Sequence, residues 1–235
     1  MHVFEFVVGQ VLPYVTLAIL ILGLVYRIRR WHKAAVANLA LYPAASNKWE
    51  LRRKILAEVL LFSTFRKEHQ ALWTQTWVFH VMLLAIIVGH SRLITDWPLR
   101  VLLGMEQGTV DTMSAWVGGA CGIVAMFAGL TLLVRRLSVR RVREISTSED
   151  YAVIVLLLAV LITGNSMRFA SHFDIAVAQA YFASLVTFGT IQVPQNSMFL
   201  LHLFLVQVLL IYLPFGKFLH IPGIFYSKAL IAKDY

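Results

Sequence analysis

The stretch FHVMLLAIIVGH, Phe79–His90, places two histidines ten residues apart in an otherwise apolar run. Its flanks extend the apolar character over Trp73–Leu93, and about 20 mostly apolar residues are enough for a helix to cross a bilayer. A segment in lipid must satisfy its backbone polar groups internally, so this one is predicted to be helical. Because a histidine is costly to hide from water without a partner, the stretch predicts a membrane helix with two side chains that need partners.

Four further apolar runs predict four more spans, at Phe4–Tyr26, Ser114–Val134, Tyr151–Phe169 and Met198–Leu219. Of the 235 residues, 59% are hydrophobic and 14% are charged, whereas soluble domains are about 45–50% apolar and about 25% charged. The expected fold class is therefore an all-α integral membrane protein, a single domain over residues 1–235 built as a bundle of five transmembrane helices. One cysteine, Cys121, excludes an internal disulfide and cannot hold an iron–sulfur cluster, which needs several thiolates.

The basic residues are distributed unevenly between the two sides that these spans define. Ten Lys and Arg lie in Arg27–Lys67, five in Arg135–Arg143 and three in the tail, against three on the other side at Arg92, Arg100 and Arg168. The positive-inside rule then places the N-terminus outside and the C-terminus in the cytoplasm. The net charge of +9 is explained by this topology, so nucleic-acid binding is not expected. Attraction to anionic lipid or to an acidic partner is compatible with the same charge.

The cytoplasmic loop at about residues 27–71 is long for a connection in a helix bundle. Its segment WELRRKILAEVLLF, Trp49–Phe62, mixes charged with spaced apolar residues, which predicts an amphipathic helix. Such a helix lies on the membrane surface or docks a soluble partner, and the sequence favours neither.

Four histidines fall on two predicted helices that run antiparallel. His80 and His90 lie about 15 Å apart along the second span, and His202 and His220 lie about 27 Å apart along the fifth. By depth, His80 pairs with His220 near the inner level, and His90 pairs with His202 near the outer level. Two cross-helix pairs at two depths are what two bis-histidine haems need. A bend at Pro214 and Gly216 would absorb the unequal spacing. A proton or metal pathway and plain packing remain the alternatives.

Small residues form a stripe on the predicted third span, at Gly118, Gly122, Ala125 and Gly129, and Gly89 adjoins His90. Small side chains allow a flat ring or another backbone to approach closely. The stripe therefore serves a cofactor and ordinary helix packing equally well.

The chain resembles the gamma, cytochrome b, subunit of respiratory nitrate reductase from about Val11 to His220. The four histidines and their spacing are the specific part of this resemblance; the weaker parts are Trp116–Gly122, Val134–Leu137, Arg141–Arg143 and Pro214–His220. The resemblance implies two non-covalent haem b groups, an inner one on His80 and His220 and an outer one on His90 and His202. It also implies that quinone or menaquinone is the substrate, in a prokaryotic cytoplasmic membrane.

Two departures point to a sister branch of that family. The loop before the second span is longer, and the quinol-site lysine expected before the glycine pair has no match in Gly108–Asp111. The stretches Gln207–Lys217 and His220–Ser227 are similar to the cytochrome b subunits of the Dsr membrane complex and of membrane heterodisulfide reductase. That branch implies a cytoplasmic iron–sulfur partner of heterodisulfide-reductase type within a multi-subunit respiratory complex. The gamma subunit of a true nitrate reductase is the alternative.

Ionisable residues near the outer level supply the candidates for a quinone site: Arg92, Asp96, Asp111 and His172. Asp96 and Asp111 take quinol protons in this hypothesis, against a solvated loop role. Arg92 and Arg136 are candidates for contacts with haem propionates, against anchoring to lipid phosphate. Two rival classes are a transporter with a histidine-lined path and a bare membrane anchor. The sequence does not decide the direction of electron flow.

Overall fold

The computed structural model of the chain describes residues 3–33, 48–96, 100–101, 104–190, 192–220 and 222–224, and all regular structure in these ranges is helical. The α-helices are α1 Val3–Phe6, α2 Leu12–Lys33, α3 Lys48–Leu61, α4 Ser63–Glu68, α5 Gln70–Gly89, α6 Gln107–Ser138, α7 Arg140–Glu144, α8 Ser148–Phe169, α9 Ile175–Val186 and α10 Ser197–Tyr212. A π-helical turn at Val7–Val11 joins α1 to α2, and 3₁₀ turns follow at His90–Leu93 and Lys217–Leu219. The all-α prediction is confirmed for the described residues.

Four helical segments are long and apolar enough to cross a membrane: Val3–Lys33, Gln70–Leu93, Gln107–Ser138 and Ser148–Phe169. They coincide with the first four predicted spans. Their outward side chains are apolar, as in Ile87 and Val88 on α5, and lipid is the environment in which such exposure costs little. The chain is therefore an integral membrane protein of helical type.

The predicted fifth span is shorter than expected. Helix α10 has 16 residues and ends at Tyr212, two residues before Pro214. Proline cannot continue a helix without losing a backbone hydrogen bond, which explains the end. A membrane helix needs about 17–25 residues, so the count of five spans and the orientation of the termini remain predictions. The tail lysines Lys228 and Lys233 and the aromatic Trp97 lie outside the described residues.

The chain divides into two compact units, the first comprising Met1–Tyr14 and Val78–Leu209, the second Val15–Trp77 and Leu210–Tyr235. In the first unit, the glycine stripe of α6 packs against α8 rather than bordering an open space. A β-carbon at Gly118 would lie 3.0 Å from Nη2 of Arg168 on α8. One at Gly129 would lie 3.1 Å from Cδ2 of Leu158 on α8 and 3.0 Å from Cε2 of Phe79 on α5. The stripe therefore serves close helix packing.

Helix α9 follows α8 in the first unit, in a segment for which the sequence analysis made no prediction. Its Tyr181 is fully buried and donates a hydrogen bond to the carbonyl of Gly9 at 2.7 Å. Tyr14 donates in the same way to the carbonyl of Leu185 at 3.0 Å. These two bonds tie α9 to the start of the chain and hold its inner face, around Ala178, in an apolar cluster.

In the second unit, α3 confirms the helix predicted in the long loop, and residues 34–47 of that loop lie outside the described residues. The last carbonyls of α3 accept hydrogen bonds from two indoles: Trp73 Nε1 donates to Leu61 at 2.7 Å, and Trp77 Nε1 donates to Leu60 at 2.8 Å. These bonds satisfy groups that a helix end leaves unpaired. Arg27 on α2 likewise donates from Nε to the carbonyl of Pro214 at 3.1 Å.

Candidate functional site

The structure brings together the predicted pair His90 and His202, both in the first unit. His90 begins the 3₁₀ turn that extends α5, and His202 lies in the second turn of α10. Their ring centroids are 6.4 Å apart, and the ring planes are inclined by only 16°. The two imidazoles are therefore nearly parallel at a fixed separation.

Each ring of this pair is held through its Nδ1 atom. The Nδ1 of His90 lies 2.7 Å from the carbonyl oxygen of Ile86, and that of His202 lies 2.9 Å from the hydroxyl of Thr163. A carbonyl only accepts, so Nδ1 of His90 carries the proton. The buried Thr163 hydroxyl can give its proton to the carbonyls of Ala159 or Val160, at 2.9 and 3.0 Å, and so accept one from His202. Both Nε2 atoms then keep a lone pair.

The ring separation fits two imidazoles that ligate one metal ion from opposite sides. A metal–nitrogen bond is about 2.0 Å and a ring nitrogen lies about 1.1 Å from the ring centre, so such centroids are about 6.3 Å apart. The observed distance of 6.4 Å matches this value. Metal-ligating histidines also usually donate their second N–H to a carbonyl or similar acceptor, as both rings do here. The ring separation and the Nδ1 contacts therefore fit the expected bis-histidine iron, and ligation by this pair stays a prediction.

A glycine on α8 lets His202 approach that helix. A β-carbon at Gly164 would lie 3.3 Å from Cε1 of His202, closer than most real contacts. Gly89, in contrast, has no atom within 4 Å of a β-carbon position. Gly164, which the sequence analysis did not single out, is therefore the glycine that matters for the ring's position.

The two members of the other predicted pair belong to different units, His80 to the first and His220 to the second. His80 is half-buried on α5, with its ring edge-on to that of Phe79 at 5.7 Å. His220 ends the 3₁₀ turn Lys217–Leu219, and its Nδ1 lies 2.9 Å from the carbonyl oxygen of Lys217. His220 therefore shows the same Nδ1 arrangement as His90. The pairing of His80 with His220 remains a prediction.

Three of the four predicted quinone-site residues form one ionic cluster. Arg92, whose side chain is 5% exposed, donates from Nε to Asp96 at 2.6 Å and from Nη2 to Asp111 at 2.5 Å. The Nε2 of Gln107 donates to both carboxylates, at 3.0 and 3.2 Å. Hydrogen bonds from Arg92 lower the pKa of Asp96 from its ordinary value. These four residues, Arg92, Asp96, Gln107 and Asp111, are called the Arg92 cluster. In it, the Arg92 cation is paired with the carboxylates of Asp96 and Asp111.

An open cleft of about 710 Å³ adjoins this cluster. Asp96, Gln107 and Gln179 contribute polar groups to its wall, and Arg100 lies at the same wall. The apolar lining comes from Ile94, Val101, Met105, Ala180 and Ala183. Gln179 on α9 also donates to the backbone carbonyl of Arg92 at 2.8 Å, which joins the cleft to the turn that carries His90. Apolar walls with a few convergent polar groups are typical of small-molecule sites.

The remaining candidates lie apart from the cleft lining. His172 is exposed, in the left-handed region at φ 44°, and takes no part in the hydrogen bonds of the Arg92 cluster. Arg136 lies at the other end of α6, where Nη1 donates to Ser146 at 2.8 Å and faces Asp150 at 3.4 Å. Arg168 donates to the carbonyls of Ser114 and Ala115. These contacts give each arginine partners within the protein.

Thr163, Gln107 and Gln179 were not among the predicted site residues. A signal was present for Gln179, since it is the one amide in the apolar sequence IAVAQAYFASLV of α9. Thr163 gave none, because a threonine in a membrane helix commonly bonds its own backbone. Among the described ranges, no group of three or more His, Cys, Asp or Glu side chains could hold a metal ion; a haem iron needs only two histidines from the protein.

Fold and site together define a class of protein. It is an integral membrane protein of apolar helices, in which two histidines, each held by a contact at Nδ1, lie near a cleft with polar groups in its wall. A family model described as nitrate reductase gamma subunit matches residues 62–231. The chain therefore belongs to the nitrate reductase gamma subunit family, as the resemblance in its sequence predicted.

Named relatives fall in both branches of this resemblance. The Hdr-like menaquinol oxidoreductase cytochrome b-like subunit of Archaeoglobus fulgidus is 28% identical, over 93% of this chain and 77% of that protein. The subunit of the same name from Archaeoglobus profundus is 24% identical, over 92% and 76%. The respiratory nitrate reductase 1 gamma chain of Escherichia coli is 31% identical, over 61% of this chain and 68% of its own length.

Proposed function

We propose that this chain is the membrane-anchoring dihaem cytochrome b subunit of a prokaryotic respiratory complex that exchanges electrons with the quinone pool. The geometry of His90 and His202 carries this proposal, because their 6.4 Å separation and tethered Nδ1 atoms suit a bis-imidazole iron. The names of the relatives support it, since two of them are cytochrome b-like subunits of menaquinol oxidoreductases. The inner cytoplasmic membrane is the expected location.

Each of the two proposed haem b groups is bound by two histidines. His90 and His202 ligate the outer one through Nε2, and His80 and His220 ligate the inner one. A bis-histidine haem supplies a centre that gains and loses one electron at a time. Thr163 acts through His202, because its hydroxyl fixes which ring nitrogen keeps the proton and how the ring is turned. Ile86 does the same for His90 through its carbonyl.

The quinone is the substrate, and the cleft beside the Arg92 cluster is its proposed site. The apolar wall from Ile94 to Ala183 suits a quinone ring, and the polar groups of Asp96, Gln107 and Gln179 suit its oxygen atoms. Oxidation of a quinol releases two electrons and two protons. Asp111, with a side chain 50% exposed, offers those protons a route to water from the more enclosed Asp96. His172, outside the cleft lining, remains a weaker candidate.

Electrons leave or enter on the cytoplasmic side through a partner subunit. The proposed partner is an iron–sulfur protein of heterodisulfide-reductase type, because the chain has one cysteine and cannot hold a cluster itself. The Hdr-like names of two relatives support this choice over the subunit of a true nitrate reductase. Copurification of the tagged chain from its native membrane distinguishes the two by the partner: an iron–sulfur protein that does not reduce nitrate, or one that does.

The decisive experiment counts haem in the purified complex and in single variants. A reduced-minus-oxidised visible spectrum and extraction should give two haem b per chain. His90→Leu and His202→Leu should each lose the same one haem, and His80→Leu and His220→Leu should each lose the other. His172→Asn is the matched control, because asparagine tolerates a positive φ and haem content should not change. Two haems retained in His90→Leu and in His202→Leu would overturn the ligand assignment.

A second measurement tests the cleft separately from the haems. Asp96→Asn and Gln179→Leu should slow the reduction of haem by a menaquinol analogue and leave reduction by dithionite unchanged. Asp174→Asn is the control, since Asp174 caps α9 by accepting from the N–H of Ala176 and asparagine serves as well there. Equal quinol rates in all three variants would place the quinone elsewhere.

A further inference from the structure

Three exposed apolar side chains of α3, in the second unit, share one face of the helix and are called the stripe. The side chains of Trp49, Leu56 and Leu60 are 72%, 52% and 57% exposed. Their spacing of seven and four residues places them on one face of the helix. Exposing such a face to water is unfavourable, so the stripe indicates that this side of α3 contacts an apolar environment or a partner.

The stripe is flanked by positive charge that has no counter-charge in the described protein. Arg52 and Arg53 are exposed on the same face of α3 as the stripe, whereas the ion pair of this helix joins Lys54 to Glu50 at 2.8 Å. No ion pair within the described ranges includes Arg52 or Arg53. Trp and Leu side chains bordered by arginines suit a membrane interface, because the arginine stems can lie along the apolar surface while their guanidinium groups reach the headgroups.

The end of α3 is fixed at the level where a membrane span begins. Trp73 and Trp77 lie in the first two turns of α5, and their indoles donate to the carbonyls of Leu61 and Leu60. The two indole rings stack at 5.7 Å, and the guanidinium of Arg66 lies 5.2 Å from the Trp73 ring. Tryptophans at span ends occupy the headgroup level of a bilayer. The same contacts therefore hold α3 at that level.

We propose that α3 is an in-plane membrane helix that binds anionic lipid at the surface where α5 enters the bilayer. Trp49, Leu56 and Leu60 lie at the acyl boundary. Arg52 and Arg53 extend their side chains to the headgroups and pair with lipid phosphates. The stripe faces the apolar part of the membrane surface, and the two unpaired arginines complement the negative charge of the lipid headgroups. This inference does not rest on the electron-transfer function.

The test places a nitroxide on each side of α3 in the full chain, reconstituted into phosphatidylcholine vesicles with or without phosphatidylglycerol. The background is Cys121→Ala, and the two labelled variants are Leu56→Cys on the stripe and Lys54→Cys on the opposite side. In vesicles containing phosphatidylglycerol, the label at residue 56 should collide mainly with oxygen, which concentrates in lipid. The label at residue 54 should collide mainly with a water-soluble nickel complex.

The charge requirement is tested by Arg52→Gln with Arg53→Gln. An arginine near an anionic surface contributes about 1 kcal/mol, so each replacement should lower the ratio of membrane-inserted to water-exposed residue-56 label roughly fivefold. Arg140→Gln with Arg141→Gln, on the exposed helix α7, is the matched control and should leave the fraction unchanged. A residue-56 label that is exposed to nickel in both lipids overturns the proposal. Protection of that label only when an acidic partner subunit is present would assign the stripe to protein docking instead and also overturn it.

Discussion

An arginine lies near each end of α6, Arg92 at the first end and Arg136 at the second, and the surroundings of the two differ. At the first end, Arg92 is nearly enclosed and pairs with Asp96 and Asp111, which come from a turn and from α6. At the second end, Arg136 is 30% exposed, and its contacts are the Ser146 hydroxyl and a longer approach to Asp150. A charge costs more to bury than to leave at a surface, so only the first arrangement depends on all of its members. That cluster also adjoins the cleft and the turn of His90.

The largest effect should come from Arg92→Leu, which leaves Asp96 enclosed without its cation. Breaking a buried pair costs about 3–5 kcal/mol of unfolding free energy. Unfolding in mixed micelles titrated with a denaturing detergent would measure it. Arg92→Lys keeps the charge but cannot donate to both carboxylates through one planar group, so it should fall between wild type and Arg92→Leu. A loss below about 1 kcal/mol for Arg92→Leu would mean that the two ends of α6 are equivalent after all.

Thr163→Val should weaken the outer haem without unfolding the chain. Valine has nearly the same shape but cannot accept from Nδ1 of His202, and losing such an outer partner costs about 10–100-fold in metal affinity. Haem loss to apomyoglobin, followed at the visible band, would measure this change. Thr131→Val on α6 is the control, because that hydroxyl bonds only its own helix at Ala128. Equal haem retention in both variants would remove Thr163 from the site.

The contribution of the Asp96 charge to stability should depend on pH. Arg92 lowers the pKa of this carboxyl in the folded protein, so its charged form stabilises the fold at neutral pH and the contribution is lost as pH falls through the lowered pKa. Asp96→Asn should therefore cost about 2 kcal/mol at pH 7. The difference from wild type should shrink below about pH 4, where the unfolded carboxyl takes up its proton. A difference that does not change with pH would show that shape, not charge, holds this residue.

The smallest effect belongs to the second end of α6. Arg136→Gln should lower the unfolding free energy by about 1 kcal/mol or less, because water already reaches this side chain. Arg140→Gln removes an ion pair whose arginine is 84% exposed and should change it by less than about 0.5 kcal/mol. The same detergent titration measures both variants. A loss in Arg136→Gln as large as that in Arg92→Leu would contradict the comparison.

Much of the fold follows from local rules that the sequence already contains. Apolar runs of sufficient length predicted the four spans, because lipid leaves the backbone no partner outside a helix. Matching depth on two antiparallel helices was enough to predict that His90 and His202 lie close together. The fifth span was predicted too long because the apolar run continues past Tyr212 while Pro214 ends the helix. Helix α9 was not predicted, since its 12 mostly apolar residues lie between segments without periodic signals.

What the sequence determined by itself is where the four long helices run, how the basic residues are distributed along the chain, and that His90 and His202 stand close together. These properties depend on composition and on the regular rise of a helix. Only the tertiary structure decided that Arg92 reaches Asp111, that Gln179 holds the turn of His90, and that Thr163 orients His202. Each of these contacts joins residues of different elements, 19, 87 and 39 positions apart in the sequence, and the Gln179 contact ends on a backbone carbonyl. Periodicity along one segment contains no information about which side chains of another segment will lie within hydrogen-bonding distance.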